Sequence, residues 1–226
     1  MNLLSALLRK ARDFLNDDAQ DVRLCDAGAD PLAYEEEHVV DELVIDVSLS
    51  MDEPDYPPSR LAGAQQAAIR FLDRRREANP KDFVGVVAFS RSARVVAAPM
   101  AVGEHVADLR HAIQSLSTSL CTNIAAGLRL GHREIARLRH PREPRILLLT
   151  DGHSNTGPNP EIEAGEVRQA GIQLDIIGIG GSPDEVNEPM LKRMASIVGG
   201  ERRYWFIKSV GELVQKFEAL ALREIK

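Results

Sequence analysis

An α/β fold is predicted by this sequence: a doubly wound, mostly parallel six-stranded sheet with one antiparallel edge strand and helices on both faces. Three observations lead there. From residue 39 onward, apolar runs of strand length alternate with helix-length amphipathic segments. "RILLLT" (145–150) is an unbroken apolar run, as a central parallel strand covered on both faces requires. "FVGVVAF" (83–89) and "ARVVAA" (93–98) are separated only by "SRS". That link is too short for the crossover of a parallel pair, so these two form a hairpin and supply the antiparallel edge.

The elements follow in order. Residues 1–16 place Leu3, Leu4, Leu7, Leu8, Ala11, Phe14 and Leu15 at helical spacing, an amphipathic helix followed by an acidic, turn-rich arm to residue 38. The main domain is expected over 39–226. It opens with the strand "ELVIDV" (42–47) and a helix over 58–80 that buries Leu61, Ala64, Ala68, Phe71 and Leu72 and stops at Pro80. After the hairpin, helices are expected over about 103–115 and 123–139, then the central strand 145–150. Asn159 and Pro160 suit an N-cap and first helical position, for a short helix ending near Gly171. "IQLDIIGI" (172–179) is the next strand, a helix from about 187 is expected to stop at Gly199-Gly200, and "RRYWFI" (202–207) is the last strand. Ser209 and Glu212 form a capping box for a final helix reaching about 225.

Bulk properties narrow the function. Lys plus Arg number 28 against 34 Asp plus Glu, a net charge of −6, which argues against a general nucleic-acid binder. Two cysteines, Cys25 and Cys121, are too few for a disulfide framework. No apolar stretch approaches the roughly 18–20 residues of a membrane span. The opening "MNLLSALLRKARDFLNDD" lacks both a positive region before its leucines and a small-residue cleavage site, so the expected compartment is the cytoplasm.

In a doubly wound sheet, ligands bind outside the carboxyl ends of the strands. There the first strand releases "DVSLS", with Asp46, Ser48 and Ser50 on alternate positions, and the central strand releases "TDG", with Asp151. "CTN" adds Thr122 where a helix begins. Two carboxylates and three hydroxyls, without His or Cys, are hard oxygen donors suited to Mg²⁺ or Mn²⁺. A divalent cation would offset the repulsion of the two acids. Taken singly, each of these residues is equally at home in a helix cap or turn.

D-x-S-x-S, the Thr before a mid-chain helix and T-D-G after a buried strand, in this order on this architecture, resemble the von Willebrand factor A domain family. "FVGVVAFS", "CTNIAAGL" and "ILLLTDGHSN" share the likeness, which extends from about 39 to 225. The resemblance implies a Rossmann-like fold with a metal-ion-dependent adhesion site. Ser48 and Ser50 would hold Mg²⁺ directly, with Mn²⁺ or Ca²⁺ as substitutes. Asp46 and Asp151 would act directly or through water, and Thr122 in either way. A partner protein's Asp or Glu would complete the coordination. The domain is thus expected to be a binding module, not an enzyme, of the bacterial, intracellular, stand-alone kind that works beside AAA+ ATPases or kinase and phosphatase systems. The competing expectations are an Mg²⁺-dependent phosphohydrolase, which often needs a second Asp where Ser48 stands, and a scaffold that binds without metal.

Leu49 stands where many members carry Gly; it is expected in ordinary backbone as an apolar lip beside the ion. Cys121 reads as a packed residue and His153 as a solvated loop histidine. "GIGGSP" (178–183) reads as a tight turn, and "RLRHPREPR" (137–145) as a solvated basic loop at the far edge of the sheet. The N-terminal helix (1–16) is expected to pack on its own domain or mediate self-association, and Glu35, Glu36 or Glu37 to serve as a pseudo-ligand for a neighbouring copy's metal.

Overall fold

The structure, a computed structural model, describes residues 39–138 and 141–222. The expected N-terminal helix and acidic arm lie outside these residues. Six strands form one sheet: β1 (Val39–Asp46), β2 (Phe83–Phe89), β3 (Ala93–Ala101), β4 (Arg142–Thr150), β5 (Gln173–Ile179) and β8 (Tyr204–Ile207). Their order is β3-β2-β1-β4-β5-β8, and every pair is parallel except β2–β3. A small separate hairpin joins β6 (Ile197–Val198) to β7 (Glu201–Arg202). The predicted fold class is therefore the observed one.

Side-chain alternation divides the core in two. Leu43 and Ile45 of β1 face α1 (Arg60–Ala78), α2 (Val102–Gln114) and α6 (Val210–Ala221). Val40 and Val44 face α3 (Ile124–Ala136), α4 (Pro160–Gln169) and α5 (Glu188–Met194). Caps set the helix starts: Ser59, Asn123, Asn159, Asn187 and Ser209 each accept a backbone N–H of the first turn.

Two expectations need correction. The helix begun at Glu188 ends at Met194, well before the glycines. Leu174 and Ser196 exchange hydrogen bonds (2.8 and 2.9 Å), pulling the chain into the sheet edge. Gly199 (φ 60°) and Gly200 (φ 84°) then turn the β6–β7 hairpin, where two consecutive positive φ values suit a tight hairpin turn. The second correction is Arg145, which is fully buried instead of lying in a solvated basic loop. It donates to Asp41 (2.7 Å), Asp175 (3.4 Å) and the Leu220 carbonyl (3.0 Å). Arg75 joins Asp41 to Asp82, and Arg203 flanks Asp175, so charges alternate across the sheet at the end away from the β1 and β4 carboxyl termini.

Candidate metal centre

β1 and β4 are neighbours, so their carboxyl ends bring Asp46 and Asp151 to one place. Both side chains are buried. The Ser48 amide donates to Asp46 Oδ1 (2.8 Å), and the Thr150 hydroxyl donates to Asp46 Oδ2 (2.6 Å). Thr150 in turn accepts the Gly152 amide (3.0 Å), which ties the two strand ends together and fixes the orientation of the carboxylate. Ser48 Oγ and Ser50 Oγ stand 3.1 Å apart. Thr122, also buried, is placed by Asn155, whose side-chain oxygen accepts the Thr122 amide (2.9 Å) while the Asn155 amide donates to the Thr122 carbonyl (3.0 Å).

Ser50, Thr122 and Asp151 line one cavity of about 800 Å³; Ser48 stands beside Ser50 in the β1–α1 loop, and Asp46, the last residue of β1, accepts the Ser48 amide. The sequence-predicted oxygen donors are thus gathered at one end of the sheet. Burial, followed by the nearby Asp151 carboxylate, pushes Asp46 up to about 7, against the hydrogen bonds from Ser48 and Thr150 that pull it down. The donors fit a small hard cation. Two adjacent ligands of octahedral Mg²⁺ at about 2.1 Å stand roughly 3.0 Å apart, close to the spacing of the two serine hydroxyls. Among the described residues no group of three or more His, Cys, Asp or Glu side chains is placed to hold a metal ion by itself, so hydroxyls are essential to this donor set.

Sequence reasoning missed several neighbours. Arg60, 8% exposed at the first position of α1, donates to both oxygens of Asp55 and reaches Glu185 (3.1 Å) and Asp151 (3.5 Å). A cation at a helix N-terminus opposes the helix dipole; these three carboxylates hold it there. No periodicity could have signalled that. Thr150 was legible in T-D-G as a residue type, but its role depends on β4 lying beside β1. His153 is exposed on the cavity wall. Leu49 has ordinary backbone and is 56% exposed, as an apolar lip would be. Positive φ falls instead on Cys121 (67°), immediately before Thr122. A non-glycine residue there costs roughly 1–2 kcal/mol.

Residues 43–153, which carry the aspartates, serines and threonine just described, match the family model for the von Willebrand factor type A domain. Over that segment, just under half of its length, the chain is similar to the von Willebrand factor type A domain. Such domains are generally protein-interaction modules. A UPF0353 protein of Mycolicibacterium gilvum is 28% identical over 202 residues, 79% of this chain and 58% of that protein. A UPF0353 protein of Mycobacterium sp. strain KMS is 30% identical over 70% of this chain and 53% of its own length. The chain thus spans between about half and three fifths of these mycobacterial relatives. Among solved structures, the von Willebrand factor type A protein from Catenulispora acidiphila superposes with a TM-score of 0.63 at 22% identity, covering 82% of this chain and 42% of that one. These likenesses establish the type A fold. Among the described residues no helix is long and apolar enough to cross a membrane.

Proposed function

We propose that this type A domain is a metal-dependent protein-binding module in which Ser48, Ser50, Thr122, Asp46 and Asp151 hold Mg²⁺. The observation that carries the proposal is the pair of serine hydroxyls 3.1 Å apart beside two buried carboxylates, at the edge of an open cavity. When bound, the ion would offer an incoming Asp or Glu of a partner protein a charge-assisted bond. The chain's own part is to orient the donors. Ser48 N–H and Thr150 fix Asp46, Asn155 fixes Thr122, and the β4 end presents Asp151. This is a binding role, not catalysis: Ser48 stands where a phosphohydrolase of this plan would use a second acid, and a hydroxyl cannot replace it.

Calorimetric titration of the chain with Mg²⁺, Mn²⁺ and Ca²⁺ tests the proposal. Binding to the wild type and its loss in Asp46→Ala and Ser48→Ala are expected. Absence of binding to the wild type would leave a metal-independent scaffold. Turnover of a phosphoester, abolished by Asp46→Asn, would replace the binding module by an enzyme. Capture of partners with and without EDTA then shows whether an AAA+ ATPase or a kinase–phosphatase component is retained through the metal.

A further inference from the structure

We infer that the face around this site selects a linear partner segment in which the metal-seeking acid has an apolar residue on one side and a basic residue on the other. The inference rests on the metal-dependent reading above and deepens it by naming the partner's chemistry.

Charge supplies the first half. The cavity wall carries Glu53, Asp55, Asp151 and Glu185 against one cation, Arg60. Arg60 is already engaged by Asp55, Asp151 and Glu185. With Asp46 beneath them, even a divalent ion leaves the pocket negative. An acidic ligand alone would meet like-charge repulsion there. A basic residue next to that acid reverses the sign. Glu53 is exposed and has no ion-pair partner among the described residues, and Glu185 is half-exposed at 49%. These two are the natural seat for the base.

Apolar surface supplies the second half. Ser48 and Ser119 form a parallel bridge, strengthened by the Ser119 amide on the Val47 carbonyl (2.7 Å). The next residue in each segment is a leucine: Leu49 is 56% and Leu120 63% exposed. Large exposed apolar side chains on two bridged segments that lead into the cavity wall at Ser50 and Thr122 mark an interaction surface. The 119–123 segment is tied to the β2 side, because the Asn123 amide donates to the Ser90 carbonyl (2.7 Å). Glu185 follows β5. In the strand order, β2 and β5 lie on opposite sides of the β1–β4 pair that carries Asp46 and Asp151. Leu120 and Glu185 therefore lie on opposite sides of the proposed ion, and a partner segment that reaches both docks in one orientation.

The test measures fluorescence anisotropy of short synthetic peptides on the full chain, in Mg²⁺ and in EDTA. Each peptide has a central Asp. One has Leu before and Lys after it, a second has Glu in place of Lys, and a third has Ser in place of Leu. The Leu–Lys peptide is expected to bind about tenfold more tightly than either other, only with Mg²⁺. Glu53→Lys should erase the preference for Lys over Glu, and Leu49→Ser the preference for Leu over Ser. Both positions are exposed, so circular dichroism melts should match the wild type. Equal binding of all three peptides, or no peptide binding by a chain that titrates with Mg²⁺, overturns the inference and leaves the metal site standing. No Mg²⁺ binding overturns the reading on which it rests.

Discussion

Asp151 answers to two cations: the guanidinium of Arg60, 3.5 Å from its Oδ2, and the divalent ion proposed beside Asp46. Arg60 thus neutralises the acid in the metal-free chain and opposes the ion electrostatically. Arg60→Met should tighten Mg²⁺ binding by about 1 kcal/mol, roughly fivefold. Asp55 and Glu185, partly exposed, rehydrate when the guanidinium is removed. Calorimetry checks this directly, and weaker binding would mean that Arg60 serves chiefly to hold the loops in place. Glu42 presents a different single-residue problem. Both its carboxyl oxygens are buried without a hydrogen-bond partner among the described residues. It fits because Gly85 leaves room; a Cβ there would collide with Glu42 Oε2. Burial, and then the nearby Glu134, hold its pKa well above the ordinary 4.5. The folded chain therefore keeps a proton that the unfolded chain releases. This contribution to stability is full below about pH 4.5 and is lost as pH rises toward the raised folded value. Glu42→Gln keeps the shape without titrating. Urea unfolding at pH 5 and pH 8 should show a smaller loss for Glu42→Gln than for the wild type. Asp46, raised in the same direction, is present in both and cancels from the comparison.

Among the elements, those legible in the sequence were those whose burial is uniform. β2 (Phe83–Phe89) was predicted to the residue, and α1 to within two residues at each end, because apolar runs and caps coincide with their limits. The oxygen set was legible for a related reason: each donor sits at the carboxyl end of a strand or the start of a helix, where residue type and position both speak. α5 was misread because Gly199-Gly200 signals a break without saying whether a helix or a hairpin precedes it. Arg145 was misread because an arginine-rich stretch looks solvated until the strand pairing places Asp41 beside it. Its guanidinium, and that of Arg75, each lie 5.8 Å from the Phe71 ring centroid, so this network clamps α1 and, through Leu220, α6 to the sheet. Removing Arg145 leaves Asp41, Asp82 and Asp175 with two guanidiniums, Arg75 and Arg203, so one buried negative charge goes uncompensated. Arg145→Met should cost about 3–5 kcal/mol, read as a lower urea midpoint with an unchanged m-value.

At the scale of the whole molecule, the sheet keeps two charged systems apart. Asp41 belongs to the buried ion network and Asp46 to the proposed metal site. Five residue steps along one strand separate them, about 17 Å at roughly 3.3 Å per residue. Asp41 bonds Arg145 and Arg75, whereas Asp46 bonds Ser48 and Thr150. Stability effects at such a distance add to within about 0.5 kcal/mol. The double variant Arg145→Met with Asp46→Asn should therefore show the sum of the two single changes in urea unfolding without metal. Adding Mg²⁺ separates the ends further, because an ion that binds only the folded chain stabilises it by mass action. Wild type should gain about 2.7 kcal/mol at a hundredfold excess over the dissociation constant. Arg145→Met should show the same gain from its lower baseline, and any variant with Asp46→Asn none. A gain that shrinks in Arg145→Met would show that the ion network reaches through the strands to the metal end, and that α6, clamped by Leu220, is part of the binding machinery.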